Sequence, residues 1–252
     1  MKYFAYILLF SIGLINFSFT KGKVISVWEN ASKEEFLAAS EKASIWFTKN
    51  TNFKVDIVYS SFKDHTSSNA HDVYLGFYKR QNNNFSSSAM GVLTIQNEKM
   101  RVSIDSVNKL ILLQNKTEVN QAPADMKSSS ELLDRVKSIK KQKLENGDIS
   151  YRLDFKPNEL YSAYEFTVNN KGMLVSMKYL YSKELKSEEE DKIIKGKPRL
   201  EVSFSNYQTD LKFNYERDFS EQIYLKEDGK NIVLNDSYKK YEFKDYRYAV
   251  KK

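Results

Sequence analysis

From residue 53 onward, apolar residues recur at every second position. Phe53, Val55, Ile57 and Tyr59 alternate with polar neighbours; so do Val73, Leu75 and Phe77, then Leu93 and Ile95, then Met100, Val102 and Ile104. A side-chain period of two marks strands buried on one face, so the pattern predicts a run of antiparallel strands. Leu110, Ile111, Leu112 and Leu113 break it, because four apolar residues in a row need cover on both faces. Alternation resumes at Ile149, Tyr151, Leu153 and Phe155, continues through Tyr164, Phe166 and Val168, and returns in Val175, Met177 and Tyr179 and in Leu200, Val202 and Phe204. Asn169-Asn170-Lys171-Gly172 has the composition of a hairpin turn, with glycine placed for positive φ.

Two stretches carry a helical period instead. Ser32-Lys33-Glu34-Glu35 has capping-box spacing, and Phe36, Ala39, Ala43, Trp46 and Phe47 fall on one stripe of a helix from Ser32 to Asn50. Ser128 to Glu131 offers a second capping box before Leu132, Leu133, Val136 and Ile139, which predicts a helix from about Ser129 to Lys143. Strands in the majority with two helices, and neither a repeat nor a low-complexity linker, indicate one α+β domain over residues 21–252. The expected architecture is a strongly curved antiparallel sheet with both helices packed on its concave side. Such helices would cover the Leu110 to Leu113 strand in part, and any remainder would be an apolar cavity.

The amino terminus changes the picture. Met1-Lys2 precedes an apolar run from Tyr3 to Phe19, and Lys21-Gly22-Lys23 ends it. This is the layout of a signal peptide over residues 1–20, with small Ser18 and Thr20 at the cleavage position, and it places the protein in the periplasm or outside the cell. The rival reading, an uncleaved anchor, is weakened by Ser11, Gly13, Asn16 and Ser18 in the run. The chain lacks cysteine, which excludes disulfides, thiolate metal sites and a lipidated cysteine. Its net charge of +7 comes from lysines and arginines spread along the chain, so no nucleic-acid footprint is indicated.

Candidate chemistry is sparse. His65 and His71 stand in a Ser- and Asn-rich stretch beside Asp64 and Asp72, where solvated loop histidines are the plainer reading than a metal site. No nucleophile elbow, phosphate-binding loop, dinucleotide fingerprint, zincin or EF-hand motif occurs. The acids at 188–191 sit between Lys186 and Lys192 as a solvated charge run in a charged insertion from Lys183 to Lys197. At the carboxyl end, Tyr238, Tyr241, Phe243, Tyr246 and Tyr248 interleave with lysines and an arginine, a pattern that an edge strand protected by charge explains. The sequence therefore points away from catalysis, cofactor and metal.

Gly91-Val92-Leu93-Thr94-Ile95, then Met100-Arg101-Val102, then the Leu110 to Leu113 run, together with Lys197-Pro198-Arg199-Leu200-Glu201-Val202 and Tyr207, follow an export signal and an amphipathic helix. This layout is similar to the LolA-like periplasmic lipoprotein carriers, and most of all to their divergent, Bacteroidetes-type secreted relatives. The resemblance implies an incomplete β-barrel with helices as a lid over an apolar cavity, binding acyl chains or lipidated proteins without a cofactor or catalysis. Phe36, Trp46, Phe47, Leu132, Leu133, Val136 and Ile139 would then be lid faces. Val55, Ile57, Leu75, Phe77, Leu93, Val102, Ile104, Leu110, Leu112 and Phe204 would be wall. Arg101 is the nearest match to the carriers' lid-latching arginine, though alternation turns it away from Val102 and Ile104. The competing expectation is a non-catalytic envelope or surface interaction module with a dry core, using its basic, tyrosine-rich tail to bind a protein partner.

Overall fold

The computed structural model describes residues 27–117, 130–184, 196–228 and 231–247; the expected signal peptide and most of the charged insertion lie outside these residues. Strand β1 (Glu29–Asn30) leads into helix α1 (Lys33–Lys49), then β2 (Asn52–Phe62), β3 (Asp72–Gln81), β4 (Asn84–Ala89), β5 (Val92–Gln96), β6 (Arg101–Asp105) and β7 (Leu110–Gln114). Helix α2 (Ser130–Asp134) precedes β8 (Val136–Lys143), β9 (Ile149–Phe155), β10 (Tyr161–Val168), β11 (Leu174–Tyr181) and β12 (Arg199–Thr209). A carboxyl-terminal segment follows, with helix α3 (Tyr215–Asp218), the hairpin β13 (Leu225–Asp228) and β14 (Asn231–Leu234), and β15 (Glu242–Asp245).

Thirteen strands form one large curved sheet in the order β1-β8-β9-β10-β11-β12-β2-β3-β4-β5-β6-β7-β15. The sheet stays open, with β1 paired only to β8 and β15 only to β7. Neighbours are antiparallel except β15, which runs parallel to β7.

Register assigns every strand residue to one of two faces, because successive side chains alternate. On the front, Ile57 stands beside Phe204, Tyr59 beside Val202, Val202 beside Met177, and Phe166 beside Tyr151. Helix α1 lies on this face. Its capping box forms as the sequence predicts: Ser32 Oγ accepts from the Glu35 N–H and the Glu35 carboxylate accepts from the Ser32 N–H. Phe36 meets Phe166 edge-on at 5.5 Å and Tyr151 at 6.4 Å, while Phe47 meets Phe53 at 5.8 Å. Leu133 of α2 joins the same core.

The back carries a separate core. Ile104 pairs with Ile111 and Val102 with Leu113, and these four are buried with Met100 under Leu225, Tyr224, Tyr238, Tyr241 and Phe243 of the carboxyl-terminal segment. The two faces of the Leu110 to Leu113 run are thus dealt with differently. Ile111 and Leu113 are 0% exposed beneath that segment, whereas Leu110 and Leu112 on the front are only half-buried.

Two expectations are corrected. The second helix is five residues long, and Val136 and Ile139 lie on strand β8. A bulge between Val136 and Ser138 places Val136 opposite Phe155 and Ile139 opposite Leu153, so two front-facing residues stand three apart and imitate a helical period. Leu75 and Phe77 do not share a wall with Val55 and Ile57. Phe77 pairs with Asp56 and Leu75 with Val58, which puts both on the back, and Leu75 is 72% exposed. The short strands β1 and β4 also escaped the periodicity, β4 because its sequence is Asn-Phe-Ser-Ser-Ser-Ala.

Candidate ligand pocket

Helix α1 covers the end of the front face where β2 begins. Trp46 packs against Phe53 at 4.9 Å and Tyr207 at 4.7 Å, and the Tyr207 hydroxyl donates to Leu174 O at 2.5 Å. Arg80, buried on β3, holds the helix end: its guanidinium donates to Phe47 O at 2.9 Å and to Asn82 O at 2.8 Å. A cation on the last carbonyls of a helix satisfies groups that have no partner within it.

The other end of the same face is left open. There a pocket of about 270 Å³ is lined by Tyr59 of β2, Leu200, Val202 and Phe204 of β12, Met177 and Tyr179 of β11, and Tyr161 of β10. Cross-strand register places these side chains shoulder to shoulder, with Leu200 opposite Tyr179 and Val202 between Tyr59 and Met177. Tyr161 leans on Tyr179 at 5.4 Å and on Tyr181 at 5.0 Å, and Tyr179 on Tyr164 at 5.1 Å. Burial pushes the phenols of Tyr59, Tyr161 and Tyr164 above their ordinary value, which favours the neutral form of these three. The lining therefore holds no formal charge. Its chemistry suits an apolar group, with hydroxyls as the polar handles.

One edge of the pocket is tied down by the loop after β2. His65 Nε2 bonds Tyr181 O at 3.0 Å, and Arg199 donates to the carbonyls of His65 and Ser67, the latter at 2.9 Å. Asp64 accepts four hydrogen bonds from the hydroxyls and N–H groups of Thr66 and Ser67, which hold its carboxyl well below the usual carboxylate range. His65 serves as a structural tether here, and no group of three or more metal-ligating side chains occurs among the described residues.

The residues nominated from sequence fall into separate places. Phe36, Phe47, Val55, Ile57, Leu133 and Phe204 are buried in the front core, and Trp46 and Val136 pack against it. Leu93, Val102 and Ile104 belong to the back core, Leu75 and Phe77 to the open back face, and Leu110 and Leu112 to the front beyond the core. Only Phe204 lines the pocket. Tyr59 and Tyr179 were legible as front residues from their alternation, but Tyr161 carries no such signal, since a register shift separates it from the rest of β10. Arg101 points to the front, its guanidinium 5.9 Å from the Phe85 ring, while the arginine bonded to α1 is Arg80.

The sequence matches no protein-family model and no curated protein. Among solved structures, the fold is similar to a LolA superfamily protein of Nitrosomonas europaea at 11% identity and a TM-score of 0.31, covering 74% of this chain and 96% of that one. It is similar also to a DUF1329 family protein of Desulfovibrio piger, at 12% identity and a TM-score of 0.32, and to LprF of Mycobacterium bovis, at 10% and 0.36. Each of these two matches covers 74% of this chain and 98% of the other.

Proposed function

We propose that the protein is a non-catalytic, periplasmic or secreted binding protein that carries an apolar group, such as an acyl chain of a lipid or lipidated protein, in the tyrosine-rimmed front pocket. The observation that carries this reading is the uncharged, open pocket at the end of the face that α1 leaves bare. Its volume of about 270 Å³ lies just under the range of about 300–1,000 Å³ for drug-sized ligands. It therefore holds one chain end rather than several chains side by side. The described residues contain no helix long and apolar enough to span a membrane, and the exported state rests on the signal-peptide pattern of residues 1–20.

The test is binding of a fluorescent fatty acid to the protein without residues 1–20. Leu200→Glu places a carboxylate on the pocket floor and is expected to weaken binding by roughly tenfold or more, because an unpaired charge resists desolvation. Trp46→Ser, at the far end of α1, is expected to lower thermal stability and leave the affinity within about twofold. A probe that ignores Leu200→Glu while the variant stays folded would remove the pocket from the function.

A further inference from the structure

A second cavity, of about 420 Å³, opens on the back of the sheet between β2, β3 and residues 211–218. It is separate from the front pocket, and its chemistry is the opposite. Lys54, Lys79, Lys212 and Arg217 line it against only two carboxylates, Asp56 and Asp218. Both carboxylates are already engaged. Asp218, with a side chain 1% exposed, takes Lys79 Nζ at 2.7 Å, Arg217 Nη2 at 2.9 Å and the Asn214 N–H at 3.1 Å. Asp56 takes Lys54 at 2.8 Å and the Asn206 amide at 3.0 Å. Two positive charges are left over within one concavity, and Phe77 and Phe213 supply apolar wall beside them.

We infer that this cavity is a binding site for an amphipathic oxyanion, a phosphate ester carrying an apolar or aromatic group. Asp218 pairs with Nε and Nη2 of Arg217, at 3.4 and 2.9 Å, which leaves Nη1 outside that pair, and a guanidinium fixed along one edge meets a phosphate with part of its orientation already set. Lys212 adds a flexible point charge, and the rings of Phe77 and Phe213 take the ester group. An inorganic anion would use the cations alone, so the site prefers the ester over free phosphate.

The experiment is calorimetric titration of the signal-free protein with phenyl phosphate, with inorganic phosphate and phenol as separate titrants. Phenyl phosphate is expected to bind more tightly than either. Lys212→Glu should weaken it by roughly tenfold or more, and Arg217→Lys, which keeps the charge beside Asp218 but loses the planar fork, by roughly threefold or more. Fatty-acid binding on the front should be the same in all three proteins, which separates failure of this site from failure of the front pocket. Sedimentation with phosphatidylcholine vesicles, with and without phosphatidic acid, then identifies the source of the ester. Pelleting that needs both phosphatidic acid and Lys212 assigns a lipid headgroup, and calorimetric binding without pelleting assigns a soluble ester. Phenyl phosphate binding that is absent, no tighter than inorganic phosphate, or indifferent to both substitutions overturns the site.

Discussion

Single buried charged side chains tie helix α1 and the carboxyl-terminal segment to the sheet. Arg80 is 6% exposed and bonds the last turn of α1. Arg80→Met keeps most of the apolar stem but leaves Phe47 O without its donor, and is expected to cost about 1–3 kcal/mol in urea unfolding. Asp218 does the same for the carboxyl-terminal segment. Its burial raises the carboxyl pKa, but hydrogen bonds from Arg217 and Lys79 outweigh that and the net shift is downward. A carboxyl whose folded pKa lies below its unfolded value, about 3.9, stabilises the fold above that value and loses the contribution as pH falls through the folded pKa. Stability measured at pH 7 and again near pH 3 should therefore fall less steeply for Asp218→Asn than for the wild type. An equal fall in both would show that Asp218 does not contribute to the acid transition.

At the scale of elements, strand β7 shows what a sequence pattern can and cannot say. Its unbroken apolar run predicts cover on both faces, and the structure covers one fully, over Ile111 and Leu113, and leaves the other, with Leu110 and Leu112, half-buried. Leu113 lies under the carboxyl-terminal segment, so Leu113→Ala is expected to cost about 3–4 kcal/mol. Leu112 is half-buried, and Leu112→Ala should cost about 1 kcal/mol; equal losses for the two would mean that both faces are packed alike. The same limit explains the other discrepancies. Helix α1 was legible because its cap, stripe and length agree. Strand β8 was not, because a single bulge gave Val136 and Ile139 a helical spacing. Alternation identified Leu75 and Phe77 as one-face residues but could not tell which face, since that depends on their partners in β2. The front pocket was foreshadowed only by Phe204, because pockets form where cover stops, and the reach of α1 across the sheet is a tertiary property. The aromatic tail, read as a protected edge strand, does supply edge strand β15, and it also sends Tyr238, Tyr241 and Phe243 into the back core.

For the whole molecule, one sheet is shared by cores on opposite faces among the described residues, and the back changes character along its width. Beneath the carboxyl-terminal segment it is apolar. Across β8 to β12 it carries alternating charges instead: Lys140 to Asp154 at 3.0 Å, Asp154 to Arg152 at 2.7 Å, Arg152 to Glu165 at 2.7 Å and Glu165 to Lys178 at 3.0 Å. An ion-pair row of this kind suits a face open to water, and β2 to β4, whose back face holds the exposed Leu75 and the charged cavity, separate it from the back core. The front core, centred on Phe36, Phe47 and Phe53, and the back core, centred on Ile111 and Leu113, share no buried side chain. They are joined through the backbone ladder from β2 to β7. Substitutions without common contacts add in free energy, to within about 0.5 kcal/mol, so the double variant Phe47→Ala with Leu113→Ala should lose the sum of the two single losses. The ladder between the cores has no gap, and so both singles should still unfold in one urea transition detected alike by tryptophan fluorescence and circular dichroism. Two separated transitions would show that the strands from β4 to β7 and the segment over them form an independently folding unit, with the shared ladder too weak to couple the halves.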